Sequence, residues 1–216
     1  MVPRHIILHA RRQKLGLVDL PGAKFLAHGC ARNQTRSLLT SHYSDRLLAS
    51  TGLRSGEALR LDRADVDLAG GILTIRKTKF RKDRLVPVHA TTRTALRQYA
   101  RDRDTAFSTP KDCAFFLSSR GNRLSSPGLQ IAFAETRKLA GLDNGKPVRP
   151  HDLRHRFAVT RLALWHQQRA DVQALLPLLA TYLGHASYSD TAYYITGTAE
   201  LLALAADRAF AGGANS

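Results

Sequence analysis

The densest run of reactive side chains is His151-Asp152-Leu153-Arg154-His155, directly after Pro150. Residues three or four apart share a helical face, so a helix here would bring His151, Arg154 and His155 to one spot. A planar guanidinium fork beside imidazoles suits holding a phosphate while a proton moves next to it. Two other readings use the same residues. One is an amphipathic helix with Leu153, Phe157 and Leu162 turned inward and an incidental polar face. The other is a zinc helix, because two histidines four apart can share a metal ion, although a cationic arginine between the ligands opposes one.

The rest of the composition favours phosphate. Against 17 Asp and Glu stand 33 Lys and Arg, a net charge of +16. Such an excess predicts a polyanionic partner, nucleic acid before membrane. No basic helix has a clean apolar opposite face, and no apolar run approaches the roughly 20 residues that span a bilayer. The only apolar patch near the start, Ile6 to Leu8, is flanked by His and Arg, which argues against a signal peptide. Cys30 and Cys113 are too few and too far apart for a disulfide framework or a zinc ribbon, so a reducing cytoplasm fits. At 216 residues the chain can bury one substantial core, and 44% hydrophobic residues argue against disorder.

The elements that must position these groups begin after a contrasting first segment. Residues 1 to 44 carry seven Lys or Arg and one acid, Asp19, with poor periodicity broken by Pro3, Gly16, Pro21, Gly22 and Gly29. They read as a basic arm, and residues 45 to 216 as the folded domain. A lead-in helix spans Tyr43 to Ser50. Gly52 marks a turn, and Ser55 is positioned to cap a short helix through Leu61. Asp62 to Gly71 is turn-rich. Ile72-Leu73-Thr74-Ile75 and Leu85-Val86-Pro87-Val88 read as strands, joined by a tip with six basic residues between Arg76 and Arg84. Thr91 or Thr92 would cap a helix to about Arg103 with Leu96 and Tyr99 inward. Ser125-Ser126-Pro127 opens a helix that Gly141 closes. Helices follow over about His151–Trp165 and Ala170–Leu183, the second kinked or split at Pro177. Ser187 to Ile195 is aromatic-rich, and Ala199 to Ala209 is a final helix. The fold class is mainly α with a small antiparallel β-sheet.

Each remaining polar cluster has a bland meaning alone. Arg54 with Glu57 would be a surface ion pair, and Lys79 a solvated contact to a DNA backbone. His185 after Gly184 would favour a helix dipole, and Tyr193-Tyr194 would be packing. Their order is what carries information. Thr-Gly-Leu-Arg-x-x-Glu, Lys-x-x-Lys-x-Arg-x-Val-Pro, His-x-Leu-Arg-His, Leu-Gly-His and a Tyr nine residues later follow one another from Thr51 to Tyr194, within a similar stretch of roughly Leu47 to Phe210. This succession resembles the tyrosine recombinase (phage integrase) family.

The resemblance implies a role for each matched residue. Arg54 and Arg154 match the two family arginines, whose forks would bind the non-bridging oxygens of one phosphodiester and stabilise a pentacoordinate transition state. Tyr194 matches the nucleophile, forming a 3′-phosphotyrosine and releasing a 5′-hydroxyl. Such covalent catalysis conserves the phosphodiester energy and requires neither ATP nor metal, so no cofactor is expected. Lys79 matches the hairpin lysine that protonates the leaving oxygen, with Lys82 as the alternative. His151 matches the residue credited with acid–base work on the tyrosine proton. His185 matches a position that hydrogen-bonds the scissile phosphate. Glu57 matches an acid that supports the site from behind, and His155 is structural. Tyr193 is the alternative to Tyr194 and otherwise packs or contacts DNA. Arg76, Lys77, Arg81, Lys82 and Arg84 are the expected DNA contacts of the hairpin. With this match the zinc reading falls away, because no third ligand is evident.

The match has a gap. Family members carry an amino-terminal helical domain that clamps the other face of the duplex, and nothing in residues 1 to 44 resembles it. Two functions therefore stand: an active strand-transferase on double-stranded DNA, or a DNA-binding remnant whose grip is too weak to recombine. A type IB topoisomerase, which uses a similar nucleophile and clamp, is a more distant alternative. Leu201, Leu202, Leu204 and Ala205 on the final helix would mediate self-association on DNA, as in the family, or dock on the chain's own core.

Overall fold

The computed structural model describes residues 32–76, 83–142 and 148–184. These form two compact units, one ending at Arg154 and the other beginning at His155. As expected, the described residues are mostly helical with one small antiparallel sheet. In order they are α1 (Arg32–Thr51), α2 (Ser55–Leu59), a 3-10 turn (Arg63–Asp65), β1 (Val66–Asp67), β2 (Ile72–Ile75), β3 (Arg84–Pro87), α3 (Ala90–Ala106), α4 (Ser126–Leu139), α5 (Asp152–Gln167) and α6 (Val172–Leu183).

The core of the first unit forms where α1 packs against α3 and α4. Leu47 and Leu48 on α1, Leu96 on α3 and Phe115 and Phe116 are almost fully buried. Tyr99 on α3 ties them together. Its ring lies 5.3 Å from Tyr43, 5.4 Å from Phe115 and 5.2 Å from Phe116, and its hydroxyl accepts the Leu117 N–H at 3.0 Å. That bond satisfies a phenol which burial would otherwise penalise. Buried Arg103 is satisfied in the same manner, donating from Nε to the Phe115 carbonyl (3.1 Å) and from Nη2 to that of Ala114 (2.8 Å). The sheet is a meander β1-β2-β3. Ile75 stands opposite Arg84 and Ile72 opposite Pro87, so the stretch between Ile75 and Arg84 leaves and returns at one end of the sheet.

Several elements differ from the sequence expectations. Helix α1 reaches back to Arg32, well inside the stretch expected to be an arm, because this polar segment lacks the apolar spacing that would have announced a helix. The cap of α2 is Arg54 rather than Ser55, since the carboxylate accepting the first free N–H belongs to Glu57. His89 caps α3, its ring accepting the Thr91 N–H at 3.4 Å, while Thr92 is buried one turn in. The turn-rich stretch after Asp62 contains the short strand β1, paired with Leu73 and Ile72. Pro177 lies inside α6, which runs through as one helix. The missing proline N–H removes one rung, and burial of Leu176 and Leu179 on either side holds the helix together. No helix among the described residues is long and apolar enough to cross a membrane.

Candidate active site

The site is built on the link between α1 and α2. At the end of α1, Thr51 Oγ1 donates to the Leu47 carbonyl (2.6 Å) and the Gly52 N–H bonds to Leu48 (2.9 Å). Gly52 then turns the chain with φ +63°, a left-handed conformation that a side chain disfavours. Two residues later Arg54 adopts extended geometry as the first cap of α2 and projects at the chain reversal. Thr-Gly-x-Arg is therefore a helix stop and a helix start compressed into four residues.

Behind Arg54 lies a carboxylate that is almost completely enclosed. The Glu57 side chain is 2% exposed and accepts four N–H groups. Its Oε2 takes the Arg54 backbone N–H at 3.0 Å, and its Oε1 takes Arg54 Nη1 at 3.2 Å. Arg84, at the start of β3, approaches as a parallel fork, Nη1 to Oε1 at 2.9 Å and Nη2 to Oε2 at 2.8 Å. Burial pushes the Glu57 carboxyl up. The Arg84 fork, the Arg54 N–H and the Arg54 charge outweigh that and hold it below the usual carboxylate range. Glu57 is thus a fixed anion, and the Arg54 side chain it braces is 36% exposed.

Arg154, from the first turn of α5, is buried, and its Nη1 donates to the Gly52 carbonyl at 2.6 Å. This bond spans 102 positions in sequence and fixes the second arginine to the turn that presents the first. The structure therefore joins Arg54, Glu57 and Arg154 into one framework.

His151 stands one residue ahead of α5. It is exposed in the turn ahead of α5, its carbonyl accepting the Arg154 N–H at 3.0 Å. The helix starts at Asp152, whose Oδ2 takes the Arg149 N–H at 2.7 Å. Arg154 is buried, His155 is half-buried and His151 is exposed. Lys77, Lys79, Arg81, Lys82, His185, Tyr193, Tyr194 and the final helix lie outside the described residues.

Two expected DNA contacts have protein partners. Arg76 is largely exposed and pairs through Nε with buried Asp65. Arg84 is only 13% exposed, and its fork engages both oxygens of Glu57. The signal for this was in the strand pattern. Val86 is buried and Leu85 exposed, so alternation turns Arg84 to the inner face with Val86, where an arginine requires an acid. The one cluster of metal-ligand type among the described residues, Asp62, Asp112 and Cys113, is crossed by Arg123, whose Nη2 lies 2.6 Å from Asp62 and 2.9 Å from Asp112. A cation already occupies that position.

Comparison with known proteins decides the lineage. The sequence pattern of the phage integrase family matches residues 27–200. The chain belongs to the phage integrase family. That match begins before residue 45, in agreement with the early start of α1. Protein y4rE of Sinorhizobium fredii (strain NBRC 101917 / NGR234), named among the integrase/recombinase proteins, is 76% identical over 167 residues, 77% of this chain and 54% of its own length. Tyrosine recombinase XerC of Haemophilus ducreyi (strain 35000HP / ATCC 700724) is 36% identical over 148 residues, 68% of this chain and 44% of its own. Among solved structures, XerA recombinase superposes with a TM-score of 0.64 at 26% identity, covering 92% of this chain and 68% of that one. XerH recombinase, in a post-cleavage complex with its palindromic difH substrate, superposes with a TM-score of 0.59 at 26% identity, covering 92% and 50%. The fold of this phage integrase family member is that of the tyrosine recombinase catalytic domain, and the chain spans about half the length of the curated relatives it matches.

Proposed function

We propose that this chain cuts and rejoins double-stranded DNA at specific sites through a 3′-phosphotyrosine intermediate. The observation that carries the reading is the bond from Arg154 to Gly52, which anchors one arginine to the turn bearing the other. Two guanidiniums so constrained suit the charge that develops on a phosphodiester during in-line attack, and their fixed orientation removes reorganisation from the barrier. Tyr194 would attack phosphorus, breaking the bond to the 5′-oxygen. Lys79 would give that oxygen its proton, and His151 would take the proton of the phenol. His185 would donate a hydrogen bond to the scissile phosphate. The solvent-facing position of His151 is compatible with exchange of that proton with water. No cofactor enters this scheme, and the high positive charge suits the partner. The final helix would join protomers on DNA, and the setting would be the cytoplasm, on DNA of a mobile element.

A second reading, DNA binding without recombination, draws on the net charge of +16, which suits a polyanion whether or not its strands are cut. One experiment separates the two. The protein is incubated with nicked duplexes carrying randomised half-sites, and species that stay joined to DNA under denaturation are isolated and sequenced. A covalent adduct that Tyr194→Phe abolishes supports the recombinase. Binding to the same duplexes with no adduct supports the second reading and removes the first.

A further inference from the structure

The basic tip between β2 and β3 is held at both ends by acids the chain keeps out of water. On the β2 side Arg76 pairs with Asp65, and on the β3 side Arg84 pairs with Glu57. The two anchors differ in geometry. Arg76 gives one Nε contact from a largely exposed side chain, whereas Arg84 is enclosed and engages both oxygens of its partner. Because Glu57 also holds Arg54 through its backbone N–H and guanidinium, each carboxylate oxygen is shared between Arg54 and Arg84. Motion of Arg84 must move the carboxylate against which Arg54 is set.

We propose that Arg84 is a positioning residue for the reaction: through the shared Glu57 carboxylate it locks the base of the β2–β3 hairpin to the phosphate-binding Arg54. The chemical consequence is registration of two groups from different parts of the fold. Lys79, five positions before Arg84 in the sequence, would deliver a proton to the oxygen leaving the phosphate that Arg54 binds. A shared carboxylate gives the hairpin base and Arg54 a common origin. Lysine cannot replace Arg84 here, because an ammonium engages one oxygen at a time and lets the carboxylate rotate.

The inference rests on the recombinase reading for its kinetic arm and on geometry alone for its spectroscopic arm. Wild type, Arg84→Lys, Glu57→Gln and the double variant are prepared as full chains. DNA affinity is measured against salt on a duplex recovered from the covalent trap, and single-turnover adduct formation is measured at saturating protein. Arg84→Lys is expected to bind within about twofold of wild type with an unchanged salt slope, while adduct formation slows roughly 10- to 100-fold. The double variant is expected to be no slower than the slower single one.

In the second arm, the Arg54 side-chain nitrogens are followed by 15N NMR without DNA. Arg84→Lys should release the slowed rotation of the Arg54 guanidinium, as Glu57→Gln does. A weaker, less salt-dependent Arg84→Lys with normal saturated turnover makes Arg84 a phosphate contact and overturns the proposal. Unchanged turnover with unchanged binding overturns it as well, as does an unaltered Arg54 spectrum. If wild type forms no adduct, the recombinase reading fails, and the spectrum alone decides whether Arg84 sets Arg54. Should Arg84→Lys not fold, Arg84→Gln, which keeps a planar donor without charge, replaces it in both arms.

Discussion

Two enclosed carboxylates in the first unit, Glu57 and Asp45, have opposite fates. Glu57 accepts four N–H groups and is held ionised below the usual carboxylate range. Asp45, on α1, accepts one hydroxyl from Ser41 at 3.1 Å, and its Oδ1 is buried without a hydrogen bond. Burial raises its pKa to about 7, and the Ser41 bond only partly opposes that. Burial acts in the same direction on both. The partners supplied by the fold decide which becomes a fixed anion that can orient Arg54 and which is held close to neutrality.

Removing the partners should expose the difference most clearly. Glu57→Ala leaves Arg84 enclosed without its acid and Arg54 without its brace. A stability loss of about 3–5 kcal/mol is expected in chemical denaturation, together with loss of any covalent adduct. Asp45→Asn should do the opposite above about pH 7, stabilising the protein by on the order of 1–2 kcal/mol once partial solvent access is allowed for. Equal destabilisation by the two substitutions would end the comparison.

The pH dependence of wild type sharpens it further. For Asp45 the folded pKa exceeds the unfolded 3.8, so the native state binds the extra proton between about pH 4 and 7. Stability falls as pH rises through that window, and Asp45→Asn should flatten that limb. For Glu57 the folded pKa is depressed below 4.5, so its contribution is present above that value and is lost as pH falls towards the folded pKa. Glu57→Gln should flatten only this acid limb in a series of thermal melts. The smallest effect belongs to Ser41→Ala. It removes the one hydroxyl that steadies ionised Asp45, at a cost of about 0.5–1.5 kcal/mol above pH 7 and less where the carboxyl is protonated.

The outcome for single residues shows what could be read from sequence. Leu96 and Tyr99 are inward as their spacing implies, and Gly141 and Gly184 end their helices with positive φ as helix-stop signals predict. Arg54 with Glu57 was visible as a pair at i and i+3, which a helix start brings together without help from the rest of the chain. The helix expected from about His151 begins at Asp152, so His151 stands in the turn just ahead of it. The early start of α1 was hidden by its polar composition. Its first turns do not show the apolar period that marks a helix packed along its length.

The order and spacing of a few motifs determined the family and the chemistry of its parts, because an arginine fork, a phenol and a histidine have their reactive character wherever they stand. The tertiary structure alone decided which of the cations are spoken for. Arg84 is 27 positions from Glu57, and Arg154 is 102 from Gly52. A linear pattern records charge but not enclosure. Only folding could set one basic residue of the hairpin against a carboxylate shared with Arg54.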